Sequence, residues 1–151
     1  GIAAARALAL ALDIPAVGIG SLAALASPVA ANHSQGTAIA VLDAKRGEVF
    51  GYAEDVASRS VLVAPAAMPV ADLAVAMRAA ARPLLLTGNG APLLAAALAE
   101  ESACILGTAE AADIAEVARL GFRRSGGAPA TPVYLRTADA KPQAGKALAR
   151  A

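Results

Sequence analysis

Apolar positions dominate this chain, and their spacing changes from one stretch to the next. The opening GIAAARALALAL (1–12) is built almost wholly from Ala and Leu, the strongest helix formers, and Pro15 ends it by disfavouring helical geometry at Ile14. AVGIG (16–20) reads as a short strand. Ser21 stands where an N-cap belongs, ahead of a helix LAALASPVAA that Pro28 should kink or end. TAIAVLDA and EVFGYAEDV alternate as two antiparallel strands around Lys45–Gly47, and RSVLVAP extends their sheet. PVADLAVAMRAAA, with Pro69 at an early helical position, lines up Leu73, Met77 and Ala80 on one helix face. PLLLTGNG is a buried strand running into a Gly-Asn-Gly turn, and the helix APLLAAALAEE follows it. ACILG is a further strand, AADIAEVARLGFRR a helix with Asp113 near its start, and PVYLR an extended segment. Helix-strand-helix, then three strands, then alternating helices and strands predict an α/β layered fold.

The opening helix is apolar nearly all round, with only Arg6 and Asp13 sharing one narrow edge, so it calls for burial on two sides. The strand at 16–20 also lacks an obvious partner in the sequence near it. Together they predict a fold whose N-terminal sheet is not supplied by this chain. On this reading residues 1–34 are the helix-strand-helix remnant of an N-terminal lobe. Residues 35–136 form a C-terminal α/β lobe, SGGAPATP is a loose linker within it, and 137–151 are a mobile tail.

A length of 151 residues suits one domain or two small lobes. With 13 basic and 12 acidic residues the formal charge is +1, so no strong field draws nucleic acid or anionic lipid. Aromatics are only 3% of the chain, and direct RNA reading by this chain alone is not expected. A mean hydropathy of +0.58 raises the question of a membrane span. The most apolar region, 1–31, is broken by Arg6, Asp13 and Pro15, owes its apolarity to alanine and lacks a basic start, so no membrane association is expected. The single Cys104 suits a reducing cytoplasm, and within SACILG it is expected to be a buried, inert thiol. One histidine, His33, cannot supply the histidine pair of a zinc protease and reads as a surface or capping residue.

Four stretches in a fixed order, GIAAARALALALDIPAVGIGSLAALA, VLDAKRGEVFGY, LLLTGNGA and PVYLR, resemble the TsaB family, also called YeaZ. The resemblance covers nearly the whole chain to Arg136. That family contains paralogues of the TsaD/Kae1 proteins. The resemblance implies an actin-like or sugar-kinase-like ATPase fold, ribonuclease H-like in its lobes. Here the N-terminal lobe would be incomplete and the C-terminal lobe would carry a mixed sheet. Family members carry an Asp-Thr-Ser-like turn and a glycine-rich loop ahead of the helix that opens this chain, so the sequence looks like a member lacking its N-terminal portion. The function implied is that of a non-catalytic scaffold or dimerisation subunit in the complex that installs N6-threonylcarbamoyladenosine beside the anticodon of tRNA. The partners implied are a TsaD-like catalytic subunit, a TsaE-like ATPase through the complex, a second copy of the chain, and tRNA only through the complex. No catalytic residue, cofactor or metal is expected in this chain.

The residues carry their own reading beside the resemblance. In AVLDAKRGEVFGY the turn offers Ala44, Lys45, Arg46 and Gly47, and three of these four carry side chains that obstruct a phosphate's approach to the backbone. Asp43 either caps this turn or holds a magnesium through water. TGNGA (87–91) resembles the adenosine-side loop of the ATPase superfamily; its plain reading is a strand-to-helix turn with Asn89 in a left-handed conformation. A nucleotide-binding ATPase or kinase-like fragment, and a nonfunctional truncated product, therefore stand as alternatives to the scaffold. The partner-binding candidates are Ala4, Ala7 and Ala11, a small-residue stripe, with the adjacent ridge of Leu8 and Leu12. This face either docks a partner helix or covers the sheet that the chain lacks.

Overall fold

The computed structural model describes residues 1–99, 103–124 and 130–136. Its elements run α1 (Ile2–Leu12), α2 (Ser21–Ala31), β1 (Thr37–Lys45), β2 (Glu48–Asp55), β3 (Val61–Pro69), α3 (Val70–Ala76), β4 (Leu84–Thr87), α4 (Ala91–Leu98), β5 (Ala103–Gly107) and α5 (Ile114–Arg123). The expected tail at 137–151, and most of the expected linker, lie outside the described residues.

The strands form one sheet in the order β3-β2-β1-β4-β5. β2 is antiparallel to both β1 and β3, whereas β1, β4 and β5 run parallel. This is the strand order of ribonuclease H-like lobes, in agreement with the α/β reading of the sequence. β1 is central and feeds two cores by simple alternation. Ile39 and Val41 join Val49, Leu84 and Leu86 beneath Leu73, Met77 and Leu94 of the α3–α4 layer. Ala38 and Ala40 join Tyr52 and Leu85 beneath Leu22, Leu25 and Val29 of α2. A strand covered on both faces must be apolar at successive positions, which is why TAIAV reads as a continuous run. Each fully buried Leu or Ile stabilises the lobe by about 1.5–3 kcal/mol. α2, which falls within residues 1–34, is thus packed on the sheet formed by residues that follow it.

Several local expectations need correction. Gly20, extended at φ −70°, is the N-cap of α2, and Ser21 is the first helical residue with no capping bond from a side chain. Pro28 neither ends nor breaks α2, which continues to Ala31. Its ring is exposed while Ser27, Val29 and Ala30 around it are buried, so packing onto the sheet outweighs the lost backbone bond. AVGIG is an extended segment in which only Val17 makes a strand-type bridge. Cys104 is exposed, not buried. β5 is an edge strand, and its Ile105 and Leu106 are 43% and 48% exposed as well, so the apolar run did not signal cover on both faces. β3 continues through Pro65, which sits opposite Tyr52 at a register slip on the other edge, where a missing N–H costs no ladder bond.

Other expectations hold. Asp113 caps α5, accepting the Ala115 N–H at 2.9 Å. His33 closes the end of α2, its Nδ1–H donating to the Val29 carbonyl at 2.8 Å. Leu73 and Met77 are buried together and Ala80 packs against them. No helix among the described residues is long and apolar enough to cross a membrane.

Candidate functional site

In open α/β sheets the crevice that takes ligands lies where the strand order reverses, beyond the carboxyl ends of the strands. Here that point falls between β1 and β4, at Asp43 on one side and Gly88-Asn89-Gly90 on the other. The crevice is filled by the protein's own backbone. The Gly90 N–H donates to the Val41 carbonyl at 3.0 Å, the Gly88 N–H to the Gly107 carbonyl at 3.0 Å, and the Asp43 N–H to Asn89 Oδ1 at 2.9 Å. The two glycines are required by this closure. A Cβ on Gly88, whose φ is +99°, would stand 2.2 Å from the Val41 carbonyl oxygen, and one on Gly90 would stand 2.9 Å from Val41 Cγ1. Gly88, and not Asn89, takes the left-handed conformation. The loop thus wraps the carbonyl of Val41 in place of a ligand.

The hairpin opposite is closed as well. Lys45 and Glu48 pair across Arg46 and Gly47, which both have positive φ, 58° and 79°. Asp43 caps this turn: its Oδ1 accepts the Lys45 N–H and its Oδ2 the Lys45 ammonium, each at 2.7 Å. The hydrogen bond from Lys45 holds the Asp43 carboxyl below the usual carboxylate range and raises the Lys45 pKa in return. With both oxygens engaged and an ammonium in contact, this geometry favours capping over the magnesium reading. The extra residue of the bulge, Ala44, has its carbonyl satisfied by Arg136 Nη1 at 3.0 Å. Arg136 also pairs with Glu48 and lies 6.0 Å over the Phe50 ring. Sequence reading gave Arg136 no such role, because the contact joins the far end of the described chain to the hairpin.

α1 presents the opposite picture. None of its residues is buried; Ala9 alone is half-buried, and Arg6, Ala7, Leu10, Asp13 and Ile14 border a shallow hollow of about 490 Å³. At 100° per residue, Ala4, Ala7, Leu8, Ala11 and Leu12 share the sector opposite Ala9 and Asp13. The structure therefore brings all five candidates together on one outward face. Leu8 is 61% and Leu12 63% exposed. Leu10, at 86%, lies about 160° round α1 from Leu8 and with Ile14 borders the hollow instead; both were missed by the small-residue stripe, although their hydrophobicity was visible.

Two buried polar groups remain. Tyr52 donates to Glu54 Oε2 at 2.9 Å; burial first, then this bond, pushes its phenol up to about 12. Glu54 Oε1 has Arg59 Nη2 at 3.2 Å but no aligned hydrogen bond. Ser27 of α2 donates to buried Glu116 of α5 at 2.6 Å, and Arg119 pairs with the same carboxylate. Both sets serve packing between elements. Among the described residues no three His, Cys, Asp or Glu side chains gather as a metal site would need.

Comparison with known proteins places the fold. Solved structures share it, among them two similar to this chain over most of its length. One is an uncharacterized protein with similarity to peptidase YEAZ from Pseudomonas aeruginosa, with a TM-score of 0.63 and 24% identity over 89% of this chain and 65% of that one. The other is YeaZ from Pseudomonas aeruginosa, with a TM-score of 0.59 and 22% identity over 88% of this chain and 66% of that one. The chain thus spans less than two thirds of the length of these relatives. No curated protein matches it. Residues 1–115 match the model of the TsaD family, described as tRNA N6-adenosine threonylcarbamoyltransferase. Since that match takes in more than half of the chain, the chain belongs to the TsaD family, and it has the fold of the YeaZ (TsaB) structures.

Proposed function

We propose that this chain is a non-catalytic scaffold subunit of the machinery that installs N6-threonylcarbamoyladenosine in tRNA. It binds a TsaD-like catalytic subunit through α1, and a TsaE-like ATPase joins through the complex. The observation that carries this reading is α1 itself: eleven residues, apolar, with none buried. Leaving Leu8 and Leu12 in water forfeits roughly 1.5–3 kcal/mol each relative to burial, a cost that a docked partner helix removes. The small residues Ala4, Ala7 and Ala11 let such a helix approach closely, and the two leucines beside them form the ridge it would grip. The closed crevice at Val41 supports the non-catalytic part, since phosphate-binding N–H groups are already spent inside the lobe.

Ala7→Glu tests the interface. Ala7 is exposed, so the substitution leaves the lobe folded, whereas a charge buried against an apolar partner surface is expected to weaken copurification with the TsaD-like subunit at least tenfold. Unchanged complex formation with an unchanged circular dichroism spectrum would remove α1 from the interface.

A further inference from the structure

The two edges of the sheet are built differently. At one edge, β3 carries Pro65 and Pro69, which lack an N–H, and its register against β2 slips on both sides of Ala53. Both features spoil an edge as a template for a further strand. At the other edge, β5 holds neither proline nor charge, and its register against β4 is regular from Ala103 to Ile105, slipping only at Leu106. Its ladder bonds come from β4 alone, and among the described residues no strand lies beyond it. Cys104, Ile105 and Leu106 are exposed in succession. Side chains alternate between faces, so neither face of β5 is fully covered.

The surroundings are acidic. From Pro83 to Ala118 the sequence has no lysine or arginine and five acids, Glu100, Glu101, Glu110, Asp113 and Glu116. α4, which packs beside β5, has no charged residue. Asp113 is engaged at the cap of α5, and Glu116 by Ser27 and Arg119. Glu110 is exposed three residues past the strand, and the Lys45 ammonium that acts on it is held 2.7 Å from Asp43. Acids thus flank β5 in the sequence on both sides. Pairing of β5 with a second copy of itself, antiparallel about Ile105, would set the glutamates at 100 and 110 toward each other, so like charges oppose that occupant. Opposite charges favour a basic one.

We propose that the free edge of β5 takes an extended segment of a partner protein as a sixth strand, one with alternating apolar residues and a lysine or arginine at each end. Main-chain hydrogen bonds supply the affinity, Cys104, Ile105 and Leu106 pack against the apolar side chains of the segment, and its terminal cations meet the acids that flank β5. The strand is about 16 Å long, which a segment of five to seven residues matches. This surface uses no residue of α1, and it does not depend on the scaffold reading.

The test is fluorescence anisotropy of the full chain with a fluorescein-labelled peptide, Lys-Val-Thr-Val-Thr-Val-Lys. Beside it stand two versions N-methylated at even or at odd inner positions, and one with glutamate at both ends. An added strand turns only alternate N–H groups toward β5, so one N-methylated peptide should bind weaker by about tenfold or more while the other binds like the parent. The glutamate-ended peptide should bind about three- to tenfold weaker, and Glu110→Lys should narrow that gap by about threefold. Ile105→Lys should weaken the parent peptide by about tenfold or more. Ile105 and Glu110 are exposed, so circular dichroism should show both variants folded, and Glu110→Lys keeps the charge arm readable if Ile105→Lys unfolds. No binding, equal binding of the parent and both N-methylated peptides, or equal binding of the lysine- and glutamate-ended peptides would each overturn the proposal. A dimer in sedimentation velocity that Ile105→Lys abolishes, without peptide binding, would give the edge to a second copy and overturn it too.

Discussion

At the scale of single residues, the decisive contact is the Val41 carbonyl lodged inside the Gly88–Gly90 loop. A glycine-rich turn after a buried strand was legible in the sequence, and so was its ambiguity between ligand loop and tight turn. What resolved it was a backbone oxygen from another strand, and no local pattern announces which carbonyl a loop will wrap. Gly88→Ala tests the closure. With φ at +99° and the new methyl 2.2 Å from a backbone oxygen, neither side can yield cheaply, and the substitution is expected to lower unfolding free energy by about 2–4 kcal/mol in urea denaturation. A loss under about 0.5 kcal/mol would show that the loop opens readily. Asp43 gives the converse lesson: capping and cation binding use the same carboxylate, and the position of the Lys45 ammonium separates them.

Elements were legible wherever one period dominated. The hairpin of β1 and β2, the strand β4 and the helices α3 and α5 all stand near where alternation and capping residues put them. Failures came where neighbours outweighed local preference. Pro28 looked like a helix end, yet α2 is held down by Leu22, Leu25 and Val29 and runs past it. Pro28→Ala would restore one backbone bond without disturbing the core, because the ring is exposed. Allowing for the looser unfolded chain, the variant is expected to be about 1–2 kcal/mol more stable, read as a higher Tm by calorimetry. An unchanged or lower Tm would mean that Pro28 costs α2 nothing. β5 failed differently: ACILG has the composition of a central strand, and only the sheet order shows that it is an edge.

For the molecule as a whole, a closed lobe and an unburied helix stand side by side. The middle of the sheet, β1 with β2 and β4, is covered by α3 and α4 on one face and by α2 on the other, and its switch point is sealed from within. α1 has no such cover among the described residues, and the imbalance was foreseeable from an all-apolar helix with nothing nearby to bury it. Hydrogen exchange of the full chain, alone, with the TsaD-like subunit, and with magnesium ATP, tests the scaffold reading most directly. The expected result is protection of the amides of residues 2–12 by the subunit, with no nucleotide-dependent change at Asp43 or Gly88–Ala91. Protection at Gly88–Ala91 by ATP, with residues 2–12 unaffected by the subunit, would contradict it.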